Sequence, residues 1–341
     1  MVTKQFSEIR IPGAPPIPGL TFRHYRGAAD HALMAGLVNA ANEGDGIPEA
    51  SSEETMAHYY AEPKNLDPFK DVLITEVNGE PACYSRVFWL DEQGDDEGEV
   101  RVYRSTTFMH PAWRHKGLGR AILAYNEGRI RQIAAGHPVE IKKFLQTVVP
   151  DANTSAAVLH KQFGYQVLRR FYVMSCDLGG ESPSSNMPAG LELRPAKKEH
   201  YRKIWDAIEE AFINSWGHKP RNDEDYRRWL RHPEFDPSLW KVAWEGDQVA
   251  GASINVAPQG DNEKLGMNWA WTEPLGVRRP WRKRGLGRAL LLESQREMKA
   301  RGIPAAALEV DAENTSNALH LYESCGYKTV RRWDLHRKEL K

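Results

Sequence analysis

The chain has 341 residues, and its 46 lysines and arginines balance 46 aspartates and glutamates. This length suits two domains of about 150 residues each, and zero net charge disfavours a nucleic-acid partner, which usually requires a basic excess. Three dispersed cysteines form neither a disulfide framework nor a metal-ligand pattern, and no apolar stretch of about 18 residues predicts a membrane span. We therefore expect a cytoplasmic protein with no metal, no membrane partner and no nucleic-acid partner.

The first segment is rich in proline. Residues 1–18 include Ile11-Pro12-Gly13-Ala14-Pro15-Pro16, which predicts an extended arm outside the first core. A first domain is expected at 19–178. Residues 179–189 have the small and polar composition of a linker, and a second domain is expected at 190–341.

Each domain reads as a strand, two helical segments, several strands, a helix, a strand, a helix and a last strand. In the second domain, strands are expected at 191–193, 240–244, 249–256, 269–277, 305–310 and 327–335, and helices at 201–216, 287–301 and 314–324. Gly302 is placed to cap the C-terminus of one of these helices. The alternation of strands and helices favours an α/β fold with a mixed sheet.

A basic glycine turn occurs twice. Residues 114–120 read RHKGLGR and residues 282–288 read RKRGLGR; each turn follows a tryptophan and opens a helical pattern. The free N–H groups and the positive end of such a helix form a site for a phosphate group. The candidate cofactor-binding residues in these turns are Arg114, Gly117, Gly119, Arg120, Arg282, Arg284, Gly285, Leu286, Gly287 and Arg288.

The two turns belong to an internal duplication. Gly19 matches Gly190, Asp67 matches Asp236, and the segment that begins at Gly164 matches the segment that begins at Gly326. The offset between the copies falls steadily from 171 to 162 residues, as expected for two repeats with small loop changes.

Other glycine motifs fit the turns less well. A dinucleotide-binding turn requires a third glycine where Ile122 and Leu290 stand. A P-loop requires Gly-Lys-Ser/Thr, which neither turn has. A purely structural turn remains possible for one copy, but it accounts poorly for both.

The pattern Arg-x-x-Gly-x-Gly between a strand and a helix resembles motif A of the GCN5-related N-acetyltransferase (GNAT) superfamily. Residues 310–327 resemble the closing asparagine-to-glycine motif of the same family. The resemblance implies two tandem GNAT domains, each a mixed, mostly antiparallel central sheet flanked by helices, similar to the mycothiol synthase-like branch. It implies acetyl-CoA as cofactor and transfer of the acetyl group to a primary amine of a small molecule. A non-catalytic acyl-CoA-binding or sensor protein remains the alternative.

The resemblance also assigns cofactor contacts in the second domain. The N–H groups from Arg284 to Arg288 would bind the pyrophosphate of coenzyme A. The backbone of Leu275, Gly276 and Val277 would pair with the pantetheine arm, with Gly276 giving the cofactor room for close approach. Asn314 would hydrogen-bond the same arm, and it also suits a helix N-cap.

Two residues are candidates for proton transfer. Glu273 lies among Trp269, Trp271 and Pro274, where a raised pKa would suit a general base; it can also be an exposed glutamate at a strand end. Tyr322 stands where the family often has a tyrosine close to the cofactor sulfur, and its phenol would protonate the departing thiolate. It can equally be a core tyrosine.

The first domain departs from this pattern. Ser105 occupies the position of Glu273, and His160 occupies the position of Tyr322. Asn153 is present, but His160 is better explained as a structural histidine than as an acid. We therefore expect the second domain to be catalytic and the first to be non-catalytic.

The acceptor is expected over the first helices and the hairpin of the second domain, where loop residues often bind ligands. The candidate substrate contacts are Trp216, His218, Tyr226 and Trp271. Each of them can instead serve packing alone.

Overall fold

The computed structural model describes residues 9–47, 49–94, 98–180, 184–218, 221–232, 234–257, 269–313 and 318–341. The chain forms two compact units. Unit 1 contains residues up to Arg169 together with Trp333–Lys341, and unit 2 contains Arg170–Arg332. In the described residues, no helix combines the length and the apolar character that a membrane crossing requires.

The strands are β1 (Leu20–His24), β2 (Val72–Val77), β3 (Glu80–Gln93), β4 (Glu99–Met109), β5 (Lys142–Pro150), β6 (Gln166–Asp177), β7 (Glu192–Arg194), β8 (Lys241–Glu245), β9 (Gln248–Val256), β10 (Trp269–Val277), β11 (Ala305–Asp311) and β12 (Lys328–Glu339). The helices are α1 (His31–Gly44), α2 (Glu53–Ala61), α3 (Pro68–Asp71), α4 (Leu118–Ala134), α5 (Thr154–Gln162), α6 (Tyr201–Phe212), α7 (Asp223–Leu230), α8 (Leu286–Ala300) and α9 (Ala318–Ser324). Short 3-10 turns lie at Ala28–Asp30, Pro111–Trp113, Lys198–His200, Pro237–Leu239 and Arg279–Trp281.

The two units share one sheet topology. In unit 1 the strand order is β1-β2-β3-β4-β5-β12, and in unit 2 it is β7-β8-β9-β10-β11-β6. The β4–β5 pair and the β10–β11 pair are parallel, and the other neighbours within each unit are antiparallel. The predicted mixed, mostly antiparallel sheet with flanking helices is confirmed.

Amphipathic helices cover these sheets. Helix α8 buries Leu286, Leu290 and Met298 along one face, which is the spacing of a helix packed against a core. Helix α6 buries Ile204 and Ile208 in the same way. It ends at Phe212 instead of the expected 216, because the chain continues in turns up to Gly217, whose φ is +68°.

The last strands of the two repeats are exchanged, which corrects the predicted boundaries 19–178 and 190–341. The end of the first repeat pairs with β11 in unit 2, with Phe171 opposite Asp311. The end of the second repeat pairs with β5 in unit 1, with Trp333 opposite Pro150. Each unit therefore takes its sixth strand from the other repeat.

Buried acids explain this choice of partner. In unit 1, Arg337 of β12 forms an ion pair with Glu92 (2.5 Å), and Lys338 forms one with Glu127 (2.6 Å). Both carboxylate side chains are at most 5% exposed, so they need cationic partners. At the Gly164–Gly326 offset, β6 offers Ser175 and Cys176 at these positions; neither carries a positive charge. Cys176 instead joins an apolar cluster of unit 2.

The predicted arm also belongs to a core, contrary to expectation. Ile11 is only 7% exposed and clusters with Phe22, Leu118 and Ile122. The backbone N–H of Ile9 donates to Phe22 (3.0 Å). The isoleucines before and among the prolines pack against the apolar face of α4. Residues 1–8 lie outside the described part of the chain.

Candidate active site

The glycine turn of unit 2 has the geometry of an anion site. Gly285 has a φ of +85° and Lys283 a φ of +60°, a left-handed conformation that glycine adopts without strain. Helix α8 begins immediately afterwards, and its first backbone hydrogen bond runs from the Ala289 N–H to the Gly285 carbonyl. The N–H groups that precede Ala289 therefore have no carbonyl partner within the helix, and the helix dipole favours an anion there.

The turn, the end of β10 and helix α9 meet at Gly287. A Cβ atom at this position would lie 3.4 Å from Leu321 Cδ2 and 3.8 Å from Val277 Cγ2. A longer side chain would therefore enter the space between these elements. The glycine keeps the backbone of the turn accessible beside the strand and the helix.

Three arginines of the turn contact backbone carbonyls. Arg282 donates to Val277 (2.8 Å) and to Ala211 of α6 (2.7 Å). Arg284 donates to Ala189 (3.1 Å), and Arg288 to Ser184 (3.4 Å). Arg282 therefore fixes the turn against β10 and α6, while Arg284 and Arg288 hold the segment that precedes β7.

The parallel pair β10–β11 separates beside this turn. Pairing runs from Trp269–Ala305 to Trp271–Ala307, and the described strands pair no further. The remainder of β10, up to Val277, continues without β11 as a neighbour. This creates an opening in which backbone groups of β10 are available to a ligand.

The register of β9 and β10 shows which groups face the opening. Arg278 donates to Ala250 (3.0 Å), and Gly276 lies opposite Ala252. Because hydrogen-bonded and non-bonded pairs alternate in an antiparallel ladder, Gly276 is bonded to β9. Leu275 directs its N–H and C=O groups toward the opening, and Val277 directs its N–H there, while the Val277 carbonyl accepts from Arg282. This arrangement fits an extended amide-bearing arm.

The expected role of Gly276 is wrong. A Cβ atom there would lie 2.9 Å from Ile208 Cδ1, 3.2 Å from Ala211 Cβ and 3.3 Å from Phe212 Cε2. All three belong to α6. The glycine therefore permits close packing of α6 on β10, and it is not needed for the approach of a cofactor.

Glu273 lies at a break in the β9–β10 ladder. The register shifts between Thr272 and Leu275, and such bulges re-aim side chains near active sites. Glu273 is exposed to solvent, yet nearby protein atoms partly desolvate its carboxyl group and raise its pKa above the usual range. Repulsion from Glu234 adds to this rise. Sequence reasoning missed Glu234, whose influence depends on the fold.

Tyr322 is half-buried on α9. It packs against the apolar cluster that also contacts Leu275, and its ring lies edge-on to Tyr327 at 6.2 Å. Burial, with a smaller effect of Cys325, raises the pKa of Tyr322 to about 12. The phenol therefore stays protonated at neutral pH and can donate a hydrogen bond.

Two of the four predicted substrate residues join one group of contacts. Tyr226 packs edge-on to Trp205 at 5.6 Å, and the Arg221 guanidinium lies 4.4 Å from the Trp205 ring centroid. Arg221 Nε donates to Glu209 (2.6 Å), whose other oxygen lies 3.7 Å from His218 Nε2. Burial lowers the pKa of His218, so this imidazole is neutral at neutral pH. Glu209 and Arg221 had no sequence signal.

The other two predicted substrate residues are placed differently. Trp271 lies on β10, opposite Val256 and beside Ala307, at the point where β10 and β11 separate. Trp216 is half-buried in the turns after α6. Asn314, expected to contact the cofactor, lies outside the described residues.

The glycine turn of unit 1 has the same backbone conformation as that of unit 2, but the side chains around it differ. Gly117 has a φ of +85° and His115 a φ of +61°. Arg114 bonds Ala41 (3.1 Å), as Arg282 bonds Ala211, but it also forms an ion pair with Asp45 (2.5 Å). Asn153 Nδ2 donates to the same carboxylate (3.2 Å). The positive charge of Arg114 is thus neutralised by Asp45 next to this turn. Arg120 is engaged with Gln162 (2.5 Å).

The opening of unit 1 is bridged. Pairing of β4 and β5 extends to Arg104–Gln146, and the Thr147 hydroxyl then donates to the Ser105 carbonyl (2.9 Å). His160, at the position of Tyr322, contacts the Ala156 carbonyl through Nδ1 (2.8 Å). Burial lowers the pKa of His160 to about 4, so the ring is neutral at neutral pH.

Comparisons with known proteins agree on the family. A model described as the acetyltransferase (GNAT) family matches residues 201–327. A solved GCN5-related N-acetyltransferase from Sphaerobacter thermophilus is 30% identical, and the match covers 95% of this chain and 96% of that one with a TM-score of 0.73. A mycothiol acetyltransferase from Geodermatophilus obscurus is 27% identical over 87% of this chain and 90% of the relative.

A further solved structure shares the fold. A tandem GNAT protein from the clavulanic acid biosynthesis pathway is 14% identical, with a TM-score of 0.66 over 94% of this chain and 98% of that one. These similarities confirm the expected acetyltransferase activity, the acetyl-CoA donor and the tandem arrangement. The chain therefore belongs to the GCN5-related N-acetyltransferase family, as a tandem GNAT enzyme similar to mycothiol acetyltransferases that transfers an acetyl group from acetyl-CoA to an amine.

Proposed function

We propose that unit 2 performs the transfer and that its acceptor is a primary amine of a small molecule. The observation that carries this proposal is Glu273, a carboxylate with a raised pKa at the bulge of β10, where that strand separates from β11. In unit 1, β4 pairs with β3 without a register shift and has no carboxylate at this place, and the Thr147 hydroxyl donates across the opening to the Ser105 carbonyl. A group able to accept a proton thus stands in one opening and not in the other.

Two parts of unit 2 bind different parts of acetyl-CoA. The N–H groups at the start of α8 bind the pyrophosphate of acetyl-CoA, and the backbone of Leu275 and Val277 binds its amide-bearing arm. Acetyl-CoA supplies the thioester whose acyl carbon the amine attacks and whose thiolate leaves. Fixed backbone contacts on both sides of the opening hold the reacting groups together, which lowers the entropic part of the barrier.

Proton transfer falls to Glu273 and Tyr322. An amine is mostly protonated at neutral pH and must lose a proton before it attacks, which Glu273 accepts either directly or through water. With a pKa of about 12, Tyr322 holds its proton more tightly than a thiol of pKa about 8.5. Complete proton transfer to the thiolate is therefore unfavourable, and a hydrogen bond from the phenol to the departing sulfur is the better role.

The acceptor side is the group of Trp205, Tyr226, Glu209 and His218. The aromatic rings suit an acceptor with a partly apolar scaffold, while the Glu209 carboxylate is already paired with Arg221. Because two curated relatives at 27% identity are named mycothiol acetyltransferases, the amine precursor of mycothiol is the first acceptor to test.

We also propose a cytoplasmic location. Cys83, Cys176 and Cys325 are all free and buried, and unpaired thiols are typical of a reducing compartment.

The test of this function is thiol release from acetyl-CoA against a panel of acceptors. The panel contains the amine precursor of mycothiol, amino sugars, aromatic amines, polyamines and an amine-free buffer. Release that depends on one small primary amine supports the proposal. Binding of acetyl-CoA with no acceptor-dependent release across the panel would favour the sensor alternative.

The two glycine turns offer a matched pair of variants. A Cβ atom at Gly287 would lie 3.4 Å from Leu321, and one at Gly119 would lie 3.4 Å from Leu159, so the same substitution meets similar space in each unit. We expect Gly287→Asp to raise the KM for acetyl-CoA at least about tenfold, because a carboxylate would repel phosphate at the start of α8. Gly119→Asp should leave that KM within about twofold. Steady-state kinetics on both variants measures the difference, and equal effects would contradict catalysis by unit 2.

A further inference from the structure

A guanidinium group in unit 1 lies among aromatic side chains. Arg86 of β3 is half-buried, and its guanidinium carbon lies 4.0 Å from the Tyr59 ring centroid and 5.7 Å from that of Phe88. Its Nη1 donates to the Tyr84 hydroxyl (3.3 Å), which in turn bonds the Tyr60 hydroxyl (2.6 Å). Tyr60 and Tyr84 are buried. The charge is therefore surrounded by rings and neutral hydroxyl groups.

This cation has no anionic partner in the described part of the chain. The ion pairs of unit 1 join other arginines, such as Arg101 with Asp91 (2.6 Å), and none includes Arg86. The Nε–H of Arg86 is buried without a hydrogen-bond acceptor. Buried guanidinium groups are normally paired, because desolvation without a partner is strongly unfavourable. Arg86 therefore lacks a partner that its environment calls for.

The second repeat shows that this position does not require a charge. Cys83 pairs with Met109 as Gly251 pairs with Val277, which places Arg86 at the position of Ile254. Ile254 is 3% exposed in an apolar cluster with Trp229 and Trp240. An apolar residue thus satisfies the same site of the fold.

The neighbouring strand sharpens the contrast. Arg86 lies opposite Thr106 in a ladder without a register shift. The same part of unit 2 is the bulge between Thr272 and Leu275, which contains Glu273. Where unit 2 has a carboxylate beside its opening, unit 1 has a cation on the adjacent strand. The charge of the site is inverted between the repeats.

We propose that Arg86, with Tyr59, Tyr60 and Tyr84, forms a binding site in unit 1 for a small organic carboxylate. A planar carboxylate accepts two parallel hydrogen bonds from the Nη1 and Nη2 end of a guanidinium, and Nη1 of Arg86 has a second N–H besides the one that it donates to Tyr84. One negative charge balances the one cation, whereas a phosphate dianion would leave excess negative charge facing the electron-rich rings. The rings favour a carboxylate attached to an apolar or aromatic body.

Calorimetric titration of the 341-residue protein tests this site. The probes are benzoate, phenylacetate and acetate, with neutral benzamide, inorganic phosphate and acetyl-CoA as comparisons. We expect benzoate or phenylacetate to bind, and Arg86→Gln to weaken that binding at least about tenfold. Arg86→Lys keeps the charge but loses the planar fork, so it should weaken binding at least about fivefold.

Arg101→Gln is the matched control. Arg101 also stacks on a ring of unit 1, Trp89 at 4.2 Å, but it already has Asp91 as a partner; carboxylate binding should be unchanged in this variant. Arg86→Ile, which copies the second repeat, should lose binding without lowering the thermal midpoint. No carboxylate binding by the wild type, equal binding by Arg86→Gln, or binding of phosphate in preference to benzoate would overturn the proposal.

Discussion

Replacing Glu273 with glutamine is expected to lower kcat about 10²- to 10⁴-fold, the usual contribution of a positioned general base. Glutamine keeps the size of the side chain but cannot accept the proton of the incoming amine. Binding of acetyl-CoA should be unchanged, because its proposed contacts are the backbone of the turn and of Leu275 and Val277. Steady-state kinetics and a separate titration with acetyl-CoA measure the two effects independently.

The pH profile gives a second readout of the same residue. Burial and repulsion from Glu234 raise the pKa of Glu273, so its proton-accepting form appears only as the pH rises through that raised value. The wild-type kcat/KM should therefore increase with pH on its acidic limb, and Glu273→Gln should lose this limb. Glu234→Gln removes the repulsion, so it should move the limb to lower pH without abolishing turnover.

Tyr322→Phe separates the base from the hydrogen-bond donor. It removes the phenol but leaves Glu273 in place, so turnover should fall while the acidic limb remains. Full activity in Glu273→Gln, or an unchanged acidic limb in that variant, would exclude Glu273 as the base.

Local features of the fold were predictable from the sequence. The paired motifs at 114–120 and 282–288 predicted glycine turns that open helices, and α4 and α8 begin directly after Gly117 and Gly285. The bounds of β10, Trp269–Val277, match the expected 269–277. Such features depend on neighbours in the chain, because turn glycines, strand alternation and helix periodicity are all short-range.

Features set by distant residues were not predictable. From the sequence, Gly276 was expected to leave space for a cofactor. In the structure, the atoms that a Cβ at this position would meet belong to α6, more than sixty residues earlier in the chain. Arg114 was expected to contact the cofactor, but it forms an ion pair with Asp45 (2.5 Å). Neither contact produces a pattern in the sequence from which it could be predicted. The candidate site was found from motifs, while its asymmetry between the repeats depends on these long-range contacts.

The exchanged strands give the second large prediction. Ending the chain at Arg332 removes the part of β12 that pairs with β5 from Trp333–Pro150 to Glu339–Phe144. We expect amide exchange in β5 to rise about 10²-fold or more, because the strand loses its hydrogen-bonding neighbour and becomes an exposed edge. Hydrogen exchange followed by mass spectrometry measures this strand by strand. β11 in unit 2 keeps its pairing with β6 and is the internal control.

A point variant isolates the electrostatic part of this effect. Arg337→Met keeps β12 but removes the ion pair with Glu92, which is only 3% exposed, and uncompensated burial of a charge costs about 3–5 kcal/mol. Arg104 still reaches Glu92 at 3.1 Å, so the loss should fall below that range and the thermal midpoint should drop by a few degrees. Adding Glu92→Gln should recover part of it, because the buried charge is gone. If the truncated chain kept wild-type exchange in β5, the sixth strand of unit 1 would have to come from its own repeat; Ser175 and Cys176 would then face Glu92 and Glu127, and Arg337→Met would have no effect on unfolding.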